Sequence, residues 1–228
     1  LPTCTRAPVG LPGYWDQTSE ANHRYSWYRK STHGHNTLTF GAWDAPSGTD
    51  ALGKTNQDAT AVSNITLFHA PSVVEEPHYA IVDHTPVYAG QGVKSVRRGF
   101  AMIYDFTELI IVDEFDAPDL NVTWAMHTPA EIYANKGGDL PEVELRQDDI
   151  ALRVATLDVP EDGKAQFHAK DVKLEPPQEP VTDPLRKLTL TSTAGHGRFV
   201  VAMALHQPRA SRVRPLSEWA KYGPLDGP

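Results

Sequence analysis

The chain has 228 residues, 40% of them apolar, with a formal net charge of −8 and a single cysteine. This length and apolar content are enough for one large globular domain or two small ones, while the negative charge and the lack of a basic run exclude a nucleic-acid-binding protein. Cys4 alone cannot build a disulfide framework or a cysteine-rich zinc site, and the sequence has no run of about 18 apolar residues, so no membrane contact is predicted.

Residues 1–30 show little periodicity and are predicted to form an N-terminal arm, whereas residues 31–228 are predicted to form one domain. Within that domain, short runs rich in β-branched residues are separated by turns that contain proline and glycine. Such runs predict strands, which we place at 37–40, 61–68, 79–82, 93–104, 109–112, 122–126, 150–156, 188–193 and 199–205. Many short strands with frequent turns indicate an all-β fold, an antiparallel two-sheet sandwich.

Two segments near the C-terminus complete this prediction. Residues 174–184 are rich in proline, which has no amide hydrogen to donate to a strand, so they are predicted to form a surface loop inserted within the domain. Trp219 is predicted to anchor the C-terminal tail on the core, because a large aromatic side chain buries enough surface to order a terminus.

The segment 25–40 reads Tyr-Ser-Trp-Tyr-Arg-Lys-Ser-Thr-His-Gly-His-Asn-Thr-Leu-Thr-Phe and combines histidines, an arginine and aromatic rings at the start of one predicted strand. Strand alternation from residue 33 predicts two faces, one with His33, His35, Thr37 and Thr39, the other with Asn36, Leu38 and Phe40. A His-x-His pair of this kind is often only two histidines that form hydrogen bonds at the rim of a sheet.

Residues 28–38, Tyr-Arg-Lys-Ser-Thr-His-Gly-His-Asn-Thr-Leu, resemble the Tyr-Tyr-Arg…Gly-His-Asn-Thr-Leu signature of heparinase II/III-type polysaccharide lyases. Further segments follow in the order found in the C-terminal β-domain of that family: Asn56-Gln57, Asp83-His84-Thr85-Pro86-Val87-Tyr88, Arg97-Arg98-Gly99-Phe100, 109–115 and Trp124-Ala125-Met126-His127-Thr128. This ordered series extends over most of the chain, so it is far more specific than any single match.

The resemblance implies cleavage of an anionic, uronate-containing polysaccharide by β-elimination. That reaction needs a cation or amide that neutralises the substrate carboxylate, a base and an acid, and tyrosine and histidine suit the last two roles. The predicted catalytic residues are Tyr28, Tyr14 and His33, and the predicted substrate-binding residues are Arg29, Tyr25 and Trp27. Because the chain is acidic overall, a local basic patch is expected to bind the polymer, with Arg24, Arg29, Lys30, Arg97 and Arg98 as its candidates.

The resemblance also implies that His35 is a ligand of a zinc ion beside the active site. The other family ligands lie on strands that would precede Leu1, so one of three expected ligands is present and the site is incomplete in this chain. Family members carry an upstream α/α-toroid domain that supplies part of the catalytic set, and nothing in the sequence reads as that domain. We therefore expect the C-terminal part of a lyase, inactive alone, in an extracellular or periplasmic protein.

Two other functions stay open. One is a non-catalytic carbohydrate-binding or scaffolding module, in which Trp15, Trp27 and Trp43 stack on sugars. The other is a metal hydrolase that uses His33 and His35, although only Asp44, Asp50 and Asp58 are nearby candidates for a third ligand. Most remaining histidines are predicted to be structural, and His127 is the one for which the family has a matching histidine, with packing or hydrogen bonding as its expected role.

Overall fold

The computed structural model describes residues 28, 31–41, 56–73, 75–134, 142–160, 165–173 and 184–226. Within these ranges the chain forms twelve strands in two antiparallel sheets: β1 (Leu38–Phe40), β2 (Asn64–His69), β3 (His78–Asp83), β4 (Ser95–Ile103), β5 (Glu108–Asp116), β6 (Val122–Thr128), β7 (Glu131–Ala134), β8 (Glu142–Gln147), β9 (Ile150–Asp158), β10 (His168–Asp171), β11 (Arg186–Ser192) and β12 (His196–Ala204). Helical structure in the same ranges consists of short turns, including α1 (Thr85–Tyr88) and α2 (Trp219–Tyr222). The predicted all-β sandwich is confirmed.

The small sheet has the strand order β1-β6-β11-β10, and the large sheet has the order β2-β3-β4-β5-β12-β9-β8-β7. The last strand in sequence, β12, thus lies in the middle of the large sheet and pairs with both β5 and β9. In each sheet, we call the face that packs against the other sheet the inner face. The main core lies between the two inner faces, where its largest members include Leu38, Phe40, Trp124, Leu188 and Phe199.

A second core covers the outer face of the large sheet. Val112 and Val200 contribute to it from β5 and β12, and the C-terminal segment packs on them with Leu216 and Trp219. Trp219 is 0% exposed, so its predicted role as the anchor of the tail is confirmed. Gly99 of β4 makes this packing possible, because a Cβ atom there would lie 2.8 Å from Cη2 of Trp219.

The alternation predicted from residue 33 is wrong. Thr32–Gly34 forms a single 3-10 turn, and the strand begins only at Leu38. The turn forms because its polar groups have long-range partners: the amide of Thr32 donates to Oδ1 of Asn56, and its hydroxyl accepts from the amide of Gln57, both at 2.7 Å. His33 and His35 are therefore not neighbours on one face of a strand.

Three strands were missed by the sequence reading, namely β7, β8 and β10. Their sequences contain the charged residues Glu, Lys, Arg and Asp, which are depleted in strands and hide the expected pattern. Cross-strand ion pairs compensate in part, since Glu142 of β8 binds Arg153 of β9 at 2.8 Å. Most of the proline-rich segment 174–184 lies outside the described residues, but the strands on either side of it, β10 and β11, pair with each other.

Candidate functional site

The Tyr28 hydroxyl lies 2.6 Å from Nε2 of His127, which is on strand β6. The two rings meet edge to face with their centroids 5.7 Å apart. Trp124 and Met126 belong to the core between the sheets, so strand alternation places His127 on the outer face of the small sheet. A phenol and an imidazole in direct hydrogen-bond contact form a pair that can exchange a proton.

Asn36 determines which nitrogen of His127 carries the hydrogen. Its Oδ1 atom accepts from the backbone amide of His127 at 2.8 Å and lies 3.1 Å from Nδ1 of the same residue. A carbonyl oxygen only accepts hydrogen bonds, so Nδ1 is the donor and Nε2 keeps its lone pair. That lone pair faces Tyr28, and the phenol donates to it.

Burial reinforces this protonation state. It lowers the pKa of His127 to about 3, and the charge of Lys187 and the nearby His35 act in the same direction. Burial also raises the pKa of Tyr28. The proton of the pair therefore stays on the phenol at neutral pH, and the imidazole stays neutral.

Lys187 of β11 lies opposite His127 in the register of the small sheet. Its ammonium donates to the backbone carbonyl of His33 at 2.8 Å and lies 5.6 Å from the centre of the Tyr28 ring. Burial lowers its pKa to about 8, and the neighbouring Lys170 contributes to this shift. A positive charge beside a phenol favours the ionised phenolate. When its ammonium is protonated, Lys187 would therefore assist loss of the Tyr28 proton.

The backbone of residues 31–40 is held by residues far away in sequence. Tyr88 donates its hydroxyl hydrogen to the carbonyl of Leu38 at 2.7 Å and accepts from Nε2 of Gln57 at 2.8 Å. Asn56 reaches the same segment through Thr32. Asn56, Gln57 and Tyr88 therefore support the backbone around Asn36.

His35 is exposed, and its Nδ1 atom lies 2.8 Å from the carbonyl of Ser31. This contact makes Nδ1 the donor in the neutral ring and leaves Nε2 with a lone pair, the arrangement of a typical metal-ligating histidine. His35 also lines an open cleft of about 390 Å³. Its other lining residues include Thr32, Asn56, Gln57, Asp58 and Ser63.

The ring of His35 fits one position of a zinc site, but the other ligands are not found beside it. The described residues contain no group of three or more His, Cys, Asp or Glu side chains that could hold a metal ion. Asp58, a candidate third ligand for a metal hydrolase, instead accepts hydrogen bonds from the amide and the hydroxyl of Thr60. Asp44 and Asp50 lie outside the described residues.

The predicted catalytic residues are placed unequally. Tyr28 is in the site, whereas the side chain of His33 is only 2% exposed and so does not reach a polymer in this conformation. Its catalytic role stays a prediction. The other predicted site residues and the three candidate sugar-stacking tryptophans lie outside the described residues, namely Tyr14, Trp15, Tyr25, Trp27, Arg29 and Trp43.

The predicted basic patch is wrong for Arg97 and Arg98. Arg97 binds Glu114 at 2.6 Å, and Arg98 is buried in a bidentate pair with Asp113 at 2.6 and 2.9 Å. Successive residues of a strand point to opposite faces, so the two arginines cannot belong to one patch. Arg24, Arg29 and Lys30 lie outside the described residues.

Lys187 is the site residue that the sequence reading missed. A lysine at the start of a strand is normally a solvated surface residue, and its partner here is a backbone carbonyl 154 residues away. No local signal in the sequence could have revealed that contact.

Among the described residues, no helix is long and apolar enough to cross a membrane.

No family model and no curated protein matches the sequence. Solved structures do match the fold. The heparan sulfate lyase HepC from Pedobacter heparinus aligns over 78% of this chain at a TM-score of 0.54 and 13% identity. The heparinase III-BT4657 gene product aligns over 84% at 0.56 and 14%, and another heparinase III aligns over 79% at 0.55 and 12%.

These matches cover only 25%, 26% and 24% of the respective lyase chains, so this chain spans about a quarter of their length. Identities this low establish similarity of fold and leave residue roles open. The chain is thus a two-sheet β-sandwich with the fold of one part of heparinase III-type polysaccharide lyases.

Proposed function

We propose that this chain forms part of the active site of a polysaccharide lyase that cleaves uronate-containing polysaccharide by β-elimination. The observation that carries the proposal is the partly buried hydrogen bond from Tyr28 to Nε2 of His127, with the tautomer of His127 set by Asn36. It occurs in a sandwich whose structural neighbours include a heparan sulfate lyase. A polymer substrate of this kind favours an extracellular or periplasmic location.

In the proposed reaction, Tyr28 is the acid. A base removes the proton at C5 of the uronate, the electron pair forms the C4–C5 double bond, and the C4–oxygen bond breaks. The leaving oxygen takes the phenolic proton of Tyr28, and solvent later restores it. The raised pKa of Tyr28 keeps the phenol protonated until that step.

Two described groups support the transfer. Lys187 lies close enough to the Tyr28 ring to stabilise the phenolate that remains. His127, held neutral, accepts the hydrogen bond of the resting phenol and keeps its oxygen in one position. The contacts and the protonation states of this chain support both roles.

The remaining parts of the machinery stay proposals on the basis of the family resemblance. Tyr14 and His33 are further candidate catalytic residues, while Arg29, Tyr25 and Trp27 are candidates for substrate binding. An upstream α/α-toroid domain would supply the rest of the catalytic set, in keeping with the match, which covers only 25% of the chain of the structural neighbour HepC. Zinc bound by His35 would order the site, and no step above depends on it.

The test is an elimination assay on the protein expressed as its whole gene encodes it, with heparan sulfate and alginate as separate substrates. Wild type should release unsaturated uronate, detected by its ultraviolet absorbance, and Tyr28→Phe should reduce the rate by at least about 100-fold. Tyr222→Phe is the matched control, because that ring is 54% exposed and belongs to the C-terminal segment, which packs on the outer face of the large sheet through Leu216 and Trp219. Full activity of Tyr28→Phe would rule out this mechanism.

A non-catalytic sugar-binding module is the second candidate, and the open cleft beside His35 favours it. The cleft presents hydroxyl, amide and carboxylate groups, which are the usual partners of sugar hydroxyls. Calorimetry with the same two polysaccharides separates the candidates. Binding without any elimination, unchanged by Tyr28→Phe, would favour the module.

A further inference from the structure

The buried ion pair of Arg98 and Asp113 reaches the candidate site from inside the sandwich. Arg98 projects from the inner face of β4, where Nε and Nη2 donate to the two carboxylate oxygens of Asp113 at 2.6 and 2.9 Å. Its remaining nitrogen, Nη1, donates to the backbone carbonyl of Asn36 at 2.8 Å, in the segment that leads into strand β1 of the small sheet. Both charged side chains are almost completely buried.

Stability alone is a poor reason for this arrangement. Taking two charges out of water costs several kcal/mol per ion, and apolar residues of similar volume are often as stable or more stable in the same place. The specific feature of the guanidinium is its fixed fork of donors, which holds two acceptors at a defined separation. Here the two acceptors are the Asp113 carboxylate on strand β5 and the Asn36 carbonyl in the segment that leads into strand β1.

Asn36 needs such support because it lies outside the regular strands. Asn36 is exposed and lies between the 3-10 turn Thr32–Gly34 and Leu38, the first residue of β1. Its main chain is held by Arg98 and its side chain holds His127. Asn36 thus connects the buried Arg98 with His127 on the outer face of the small sheet.

The expected effect of releasing Asn36 follows from the hydrogen-bond geometry. If its peptide turns, Oδ1 can no longer accept from both the amide and Nδ1 of His127. The imidazole is then free to adopt the other tautomer, with the hydrogen on Nε2. That tautomer offers Tyr28 a donor instead of an acceptor, and the resting hydrogen bond of the pair is lost.

We propose that Arg98 and Asp113 are a positioning pair for the Tyr28–His127 hydrogen bond, and that they act by holding the carbonyl of Asn36. The catalytic consequence rests on the proposed lyase function, but the structural consequence, a single tautomer of His127, does not. Arg98 touches neither substrate nor the reacting atoms. Its contribution is to keep His127 in the ring state that accepts from Tyr28.

The experiment replaces the pair by apolar residues of similar size, Arg98→Met with Asp113→Leu, which avoids leaving one buried charge unpaired. The imidazole nitrogens are labelled with nitrogen-15, and the His127 signals are assigned by their loss in His127→Gln. We expect wild type to show one tautomer with hydrogen on Nδ1 and the double variant to show a mixture, with an unchanged strand signal in circular dichroism. The elimination rate should fall by about 100-fold, as expected for a misplaced reacting group.

Two further variants make the result decisive. Arg97→Met is the matched control, because it breaks an ion pair between the same two strands on their other face and should leave the His127 signals unchanged. Asn36→Ala removes the link itself without touching the core, so it is informative even if the double variant does not fold. A single Nδ1-protonated tautomer in Asn36→Ala, or in the folded double variant, would overturn the proposal. If wild type shows no elimination but the double variant still shows a shifted tautomer, the result would support the positioning role and count against the lyase function.

Discussion

Replacement of Tyr88 by phenylalanine should destabilise the protein far more than the loss of one oxygen atom suggests. Tyr88 is 0% exposed, and its hydroxyl donates to the carbonyl of Leu38 and accepts from Gln57 and Thr37. Phenylalanine keeps the ring and its edge-to-face contact with Phe40, so the packing term changes little. The effect of the change therefore isolates the hydrogen bonds.

The size of this loss of stability depends on which hydrogen-bond partners of the Tyr88 hydroxyl cannot bond to water instead. The Leu38 carbonyl is buried, and a buried acceptor without a donor costs about 1–3 kcal/mol. Gln57 and Thr37 are partly exposed and can turn toward water, so they add less. We expect a total loss of about 2–3 kcal/mol in the free energy of unfolding, or roughly 4–12 °C in the midpoint temperature.

Equilibrium unfolding in urea measures this directly, because the midpoint shifts while the slope should stay constant. The control is Tyr222→Phe, whose exposed ring should tolerate the change within about 0.5 kcal/mol. If Tyr88→Phe also stays within about 0.5 kcal/mol of wild type at equal slope, then Tyr88 does not hold the edge of the small sheet. The account of how residues 31–40 are supported would then be wrong.

Two more predictions concern packing and pH. Gly99→Ala should lower the free energy of unfolding by about 1–3 kcal/mol, because its Cβ would meet Leu216 and Trp219. Gly90→Ala is the control, because a Cβ there has open space around it. Equal unfolding midpoints for the two variants would contradict the packing of the C-terminal segment. Burial lowers the pKa of His127 from its ordinary 6.5 to about 3 in the folded protein. Between these two pH values the unfolded state binds more protons than the folded state, so the free energy of unfolding falls as the pH drops. At pH 5 it should be about 2 kcal/mol lower than at neutral pH. His127→Gln should flatten the dependence of the unfolding midpoint on pH, and an unchanged slope would show that His127 is not held neutral.

The central strands of the sandwich could be predicted from sequence because their burial and their local pattern agree. Strands β4, β5 and β12 contain β-branched and small apolar residues at alternate positions, and all three lie in the middle of the large sheet. Trp219 could be predicted for a similar reason, since its burial is a property of its own side chain. Strands β7, β8 and β10 could not, because the charged residues in their sequences hide the alternating pattern and their partner strands lie elsewhere in the sequence.

The candidate site was only partly predictable, and the distances in sequence explain why. Tyr28 was identified through a motif, and the special position of His127 was recognised through the same resemblance. Their mutual contact spans 99 residues and depends on Asn36, whose role is set by tertiary hydrogen bonds. Lys187 has no motif at all, and the 3-10 turn at Thr32–Gly34 replaces the strand that alternation alone would predict.

The position of β12 has a consequence for how the protein folds. Because this last strand separates β5 from β9, the two halves of the large sheet cannot join until residues 196–204 have left the ribosome. Until then, the nascent chain exposes two unpaired strand edges of β-branched residues, a state that is prone to aggregation and slow to resolve. Synthesis at lower temperature or with chaperones should therefore increase the soluble yield. Removal of residues 196–228, which takes away β12 but leaves β11 intact, should prevent folding of the whole large sheet.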